Sequence, residues 1–140
     1  MKLLLDTSFI LELKRRNEKA IGALRKAAEE AEDIAISVLT KYELMVGAYY
    51  LWFKNKNTSE RKWLEEVLKW LTVADISERA LERATEIKAR GLADKISFPD
   101  MDLLIAVSLD PPAKLLTFDK DHKMMEPLLK RLGIEVEFFD

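Results

Sequence analysis

Short, wholly apolar runs alternate along this chain with longer segments in which apolar positions recur every three or four residues. "KLLLD", Lys2 to Asp6, predicts a short buried strand, and "TSFILELKRR" after it sets Phe9, Ile10 and Leu13 at helical spacing. A second amphipathic helix is expected through about Glu30, then a strand around Ile34 to Ile36 in "DIAIS", then a helix starting near Ser37. That helix, "VLTKYELMVGAYYLWF", is apolar on nearly all sides, as in a core or a subunit interface. "NKNTSERKWLEEVLKWL" predicts another helix capped by Thr58 or Ser59, and "TVADI" a short edge strand.

The second half carries clearer punctuation. "SERALERATEIKARG" has Ser77 as N-cap, Glu78 in its first turn, Lys88 and Arg90 in its last, and Gly91 as its stop. "SFPDMDLLIAVSL" predicts a helix capped by Ser97, with Pro99 in the first turn and the Pro111-Pro112 pair as terminator. "AKLLTF" reads as a strand, "DKDHKMMEPLLKRLG" as a helix closed by Gly133, and "IEVEFF" as a strand with Ile134, Val136 and Phe138 on one face. Five strands alternating with helices predict an α/β fold with three layers, α/β/α, around a mostly parallel sheet. Its site should lie beyond the carboxyl ends of the strands.

Composition narrows the chemistry. The 140 residues suit a single domain spanning 1–140, and no linker or repeat divides them. There is no cysteine and one histidine, His122, which excludes thiolate zinc sites, cysteine nucleophiles and sites built on several imidazoles. A metal would have to be held by oxygen. His122 itself reads as a surface or helix-start residue rather than a ligand. The N-terminal apolar run is three leucines, too short for export or membrane insertion, so a cytoplasmic location with no membrane partner is expected.

Four carboxylates sit where a surface role is hard to sustain. Asp6 ends the first strand and Asp119 follows "KLLTF"; Glu43 shares a helix face with Leu39, Val46, Gly47 and Tyr50, and Asp102 shares one with Ile105, Ala106 and Leu109. Asp6 and Asp119 read equally as helix caps, and Glu43 could pair with a basic side chain. Buried carboxylates without partners are costly, and four converging at one sheet edge repel unless a divalent cation neutralises them. All-oxygen ligation suits Mg2+ or Mn2+. The net charge is −2, so with these four negative charges set aside the remainder carries +2.

In order and spacing, "LLLDTSFIL", "SVLTKYELMVGA", "DLLIAVSL" and "LLTFDKDH" resemble the signature segments of PIN-domain nucleases, most closely the VapC-type toxins of prokaryotic toxin–antitoxin pairs. The resemblance spans most of the chain. It implies a PIN-like fold and makes Asp6, Glu43, Asp102 and Asp119 a catalytic quartet binding Mg2+ or Mn2+. Ser8 and Thr117 match supporting hydroxyl positions, and Asp121 a secondary acidic one. It further implies an endoribonuclease leaving 5′-phosphate and 3′-hydroxyl ends, a homodimer, and inhibition by a small VapB-type antitoxin. An aromatic residue commonly follows "DKD" in the family, whereas this chain has His122. A phosphate-cradling glycine loop is missing after the first strand, where "DTSF" places an acid.

For a single-stranded or looped RNA, "LWFKNKNTSERKW" offers Lys54, Lys56, Arg61 and Lys62 interleaved with Trp52, Phe53 and Trp63, and Lys14 and Arg15 form a second candidate. Both segments read equally as ordinary solvated helix ends. Two rival classes also fit the sequence: a PIN nuclease of RNA processing outside toxin–antitoxin control, and a non-catalytic RNA-binding PIN domain. Retention of all four acids argues against the second.

Overall fold

A computed structural model describes residues 1–140. The sheet has five strands, all parallel, in the order β3-β2-β1-β4-β5: β1 Lys2–Leu5, β2 Ile34–Ser37, β3 Thr72–Ala74, β4 Ala113–Thr117 and β5 Ile134–Phe138. The chain builds outward from β1 to β2 and β3, then returns to place β4 on the other side of β1. The resulting switch point lies between β1 and β4, where α/β sheets form their ligand crevices.

Seven helices cover the two faces. Leu3 and Leu5 of β1 point to one face, packing with Phe9, Ile10, Leu44, Leu64 and Val67 from α1 (Thr7–Lys14), α3 (Val38–Asn55) and α4 (Ser59–Leu68), with α2 (Glu18–Ala28) alongside. Leu4 points to the other, against α5 (Glu78–Ala93), α6 (Asp100–Ala106) and α7 (Lys120–Arg131). The three-layer α/β/α architecture expected from the sequence is therefore present. No helix is long and apolar enough to cross a membrane.

Several local expectations are corrected. Thr58 stands at the N-cap of α4 as expected but makes no side-chain cap bond; Asn57 Oδ1 accepts from the Ser59 N–H at 2.9 Å instead. Gly91 does not end α5 but lies buried within it, because the Phe98 ring and the Ile96 carbonyl pack onto its bare Cα. Ser97 does not cap α6, which begins at Asp100 with Pro99 in the cap position; its hydroxyl instead accepts from Lys88. The helix stops at Ala106, well before the two prolines. Val46 and Tyr50 of α3 are half exposed, at 52% and 48%, which places them outside the core and leaves the interface reading of that helix.

The short helix α6 carries Asp102, and seven residues hold no helix on their own. Side chains from α5 fix both of its ends. Lys88 Nζ donates to the Phe98 carbonyl at 2.6 Å and pairs with Asp100 at 2.9 Å; Arg83 donates to the Val107 carbonyl at 2.9 Å and pairs with Asp110 at 3.2 Å. At its far end Ser108 Oγ bonds Ser37 Oγ at 2.8 Å, tying α6 to the end of β2.

A Cβ at position 91 would stand 2.8 Å from the Ile96 carbonyl oxygen and 2.9 Å from the Phe98 ring. Gly91→Ala is therefore expected to destabilise the fold by about 1–3 kcal/mol despite alanine's higher helix propensity. Urea denaturation checks this through a lowered midpoint at unchanged slope.

Candidate metal and catalytic site

The carboxylate of Asp6 is 1% exposed and is met by four donors. Oδ1 accepts from the Phe9 N–H at 2.9 Å, capping α1, and from Ser8 Oγ at 2.7 Å. Oδ2 accepts from Thr117 Oγ1 and lies 2.7 Å from His122 Nδ1. A carboxylate offers about four lone-pair sites, so each is filled. Both hydroxyls are themselves held: Ser8 Oγ accepts from the Phe118 N–H at 2.9 Å and Thr117 Oγ1 from the Asp119 N–H at 2.8 Å. The loop after β4 is thus tied to the loop after β1 by two parallel relays through the expected supporting residues.

Asp119 caps α7, its Oδ1 accepting from the Asp121 N–H at 2.8 Å. It also joins two clusters. Ligand atoms of Asp102, Asp119 and Asp121 lie within 4.8 Å of one another, as do those of Asp6, Asp119 and His122. Asp121, a secondary position in the sequence, is therefore a full member of the acidic group. Glu43 belongs to neither cluster. Its Oε1 accepts from Thr7 Oγ1 at 2.6 Å, and Thr7 Oγ1 lies 3.1 Å from Thr40 Oγ1. Thr7, one residue after Asp6, attaches Glu43 to the site edge.

His122 lies in the first turn of α7, as the helix-start reading has it, but is buried at 1% exposure and not on the surface. Its Nε2 lies 2.7 Å from the backbone carbonyl of Asp102, so both ring nitrogens face acceptors. Burial opposes the charged imidazolium, but the hydrogen bond and charge of Asp6, the Asp102 carbonyl and the charge of Asp119 outweigh it and raise the pKa above the ordinary histidine value. Sequence periodicity could not find this partner, because Asp6 stands 116 residues away.

Asp102 has the opposite problem. Burial, then the charge of Asp119 and, more weakly, of Asp121 push its pKa up to about 6, with His122 pulling the other way. This half-buried carboxylate is crowded by like charges, an arrangement that a divalent cation relieves. The donor set Asp102, Asp119 and Asp121, with Asp6 beside it, is all oxygen and fits a hard cation.

The basic candidates are mostly engaged. Lys14 pairs with Glu60 and lies over the Trp63 ring at 5.5 Å, and Arg15 pairs with Glu12 at 2.9 Å. Arg61 stacks on Trp52 at 4.1 Å, and Lys54 donates to Tyr50 Oη at 2.9 Å. Lys56 and Lys62 are exposed. A cavity of about 210 Å³ runs from Thr7 and Glu43 past Gly47 to Lys14, Glu60 and Trp63, joining the site edge to this region.

A parallel sheet whose switch point gathers acidic side chains at its carboxyl edge defines the class as an α/β protein with an acidic site at that edge. Residues 3–126 match the family profile described as PIN domain, and the chain belongs to that family. Solved structures agree on the fold. Over 100% of both chains it resembles a chain of VapBC2 from Rickettsia felis bound to a promoter DNA fragment, at 23% identity and a TM-score of 0.76. VapBC-1 from nontypeable Haemophilus influenzae aligns over 99% of this chain and 98% of its own at 20% identity and a TM-score of 0.75. VapBC-5 from Mycobacterium tuberculosis, of the VapBC family of toxin-antitoxin systems, aligns over 99% and 100% at 19% identity and a TM-score of 0.71. No curated protein sequence matches the chain.

The two raised pKa values act on stability in the same direction. Asp102 titrates near 6 when folded and near 3.8 when unfolded, so the folded state binds more protons between about pH 4 and 6 and loses stability as pH rises through that window. The His122 contribution is full below about pH 6.5 and is lost as pH rises through its raised folded value. The metal-free protein should therefore melt at lower temperature at pH 8 than at pH 5. Asp102→Asn should flatten the acid part of that slope and be no less stable at pH 7, whereas Asp6→Asn, which sets an amide N–H among four donors, should cost about 3 kcal/mol. Thermal melts of the three proteins across pH, in chelator, test both statements.

Proposed function

We propose that the chain is a Mg2+- or Mn2+-dependent endoribonuclease, the toxin of a type II toxin–antitoxin pair, with a small VapB-type antitoxin as its protein partner. The observation that carries this reading is the meeting of Asp102, Asp119 and Asp121 beside Asp6 at the sheet's switch point, where burial and then the charge of Asp119 push the Asp102 pKa up to about 6. Membership of the PIN family and the VapBC identity of its structural neighbours support the choice of activity and partner.

When bound, a divalent cation supplies polarisation of a phosphoryl oxygen and a water of lowered pKa. Asp102, Asp119 and Asp121 would hold it, with Asp6 beside them fixing their loops. Glu43 takes the donor from Thr7 on Oε1, which leaves Oε2 to accept the proton of an attacking water. The cavity from Glu43 to Trp63 gives an extended strand a path away from the site. Beyond it, Trp52 and Arg61, with Lys56 and Lys62, suit unstacked bases and their phosphates. Along α3, Tyr42, Val46, Tyr49, Tyr50 and Phe53 form an exposed stripe at helical spacing, a surface suited to a protein partner and consistent with a homodimer or a bound antitoxin.

Single-stranded RNA should be cleaved by the purified chain with Mg2+ or Mn2+ and not with EDTA, leaving 5′-phosphate ends. Asp102→Asn should lower the rate about 100-fold or more while the protein stays folded. Cleavage that survives EDTA, or that is equal in the variant, contradicts the metal-nuclease reading.

A further inference from the structure

His122 is a buried side chain at the site that neither caps a helix nor adds to the acidic charge. Its ring is 1% exposed. Nδ1 lies 2.7 Å from Asp6 Oδ2, and Nε2 lies 2.7 Å from the Asp102 carbonyl oxygen. Those two atoms belong to different elements: Asp6 closes β1 and caps α1, whereas Asp102 lies in the first turn of α6. The imidazole itself is carried by α7. We propose that His122 is a positioning residue of the cation site, an imidazole strut that sets the spacing between Asp6 and Asp102. The inference rests on the cation-site reading above.

Three observations favour a strut over the other roles for a buried histidine. A side chain that only filled space would not place both nitrogens at 2.7 Å from oxygen acceptors. A direct ligand would need a ring nitrogen turned to the cation, and both are engaged. The α6 turn also needs a tether on this side: Lys88 and Arg83 hold its two ends from α5, while His122 grips the carbonyl of the acidic residue itself. Partners of this kind orient metal ligands, and their loss typically costs about 10–100-fold in metal affinity.

The test is Mn2+ affinity of the full chain by titration calorimetry, with metal-free melting temperatures and pulsed EPR of bound Mn2+. His122→Phe keeps the ring and loses both bonds. His122→Asn keeps a donor near the Nδ1 position, toward Asp6, and His122→Gln one near the Nε2 position, toward Asp102. The strut predicts an Mn2+ Kd raised about 10–100-fold in His122→Phe and intermediate values in the other two, with no nitrogen coupling to Mn2+ in the wild type. A Kd for His122→Phe equal to wild type overturns it, as does failure of Asn and Gln to improve on Phe. Nitrogen coupling from a coordinated imidazole overturns it in favour of a direct ligand. Should His122→Phe not fold, Asn and Gln variants that bind Mn2+ as tightly as wild type overturn it equally. A wild-type chain that binds no Mn2+ brings down the cation-site reading and this inference together, whereas equal binding by wild type and variants brings down the inference alone.

Discussion

A charge removed from water must be met on every side, and the carboxylate of Asp6 imposes that condition on the whole carboxyl edge of the sheet. Its four donors come from three places in the chain: Ser8 and Phe9 from the start of α1, Thr117 from the end of β4, and His122 from α7. None can move without leaving a buried oxygen unsatisfied, so β1, β4 and their following loops are locked at the switch point. The rings of Phe9 and Phe118, whose backbone N–H groups serve these relays, cluster with Phe139 at centroid distances of 5.5 to 5.9 Å. Asp6 is thus both the cap that its sequence position allows and the anchor of an acidic site.

Around that anchor the fold stores repulsion. Asp119 and Asp121 are set by the N-terminal turn of α7, where a helix end favours negative charge. Asp102 arrives on a helix too short to stand alone, held by Lys88 and Arg83 of α5, and meets them at close range. Burial first, and then the charge of Asp119, push its pKa up to about 6. Scaffold and site therefore pull in opposite directions, and membership of a nuclease-like α/β family gives that tension a use.

Much of this was legible from the chain alone, for a physical reason in each case. Strand and helix periodicities are local, so the five strands and the α/β/α layers followed from pattern. Asp6 and Asp119 follow strands, and topology brings the ends of adjacent parallel strands together. Ser8 and Thr117 were readable through the family resemblance, and the structure gives them hydrogen bonds to Asp6. What failed to show was non-local or depended on packing. Gly91 has the grammar of a helix stop, but the Phe98 ring lies on it and the helix continues. Ser97 has the grammar of a cap, but Lys88 takes it up. The place of His122 at a helix start is legible, but its burial is not, because its partners are a carboxylate near the other end of the chain and a backbone carbonyl 20 residues back, and a backbone carbonyl leaves no trace in residue identities. Glu43 was grouped with the other acids by sequence, yet it hangs from Thr7 at the edge of the group.

The central claim is that Asp102, Asp119 and Asp121 share one divalent cation beside Asp6. A crystal structure of the chain grown with Mn2+, with the ion located by its anomalous scattering, tests it most directly. The account predicts one strong peak about 2.0–2.3 Å from oxygens of Asp102, Asp119 and Asp121, with Asp6 keeping its bonds to Ser8 and Phe9. A crystal saturated with Mn2+ that shows no ion among these carboxylates, or an ion held elsewhere, contradicts it.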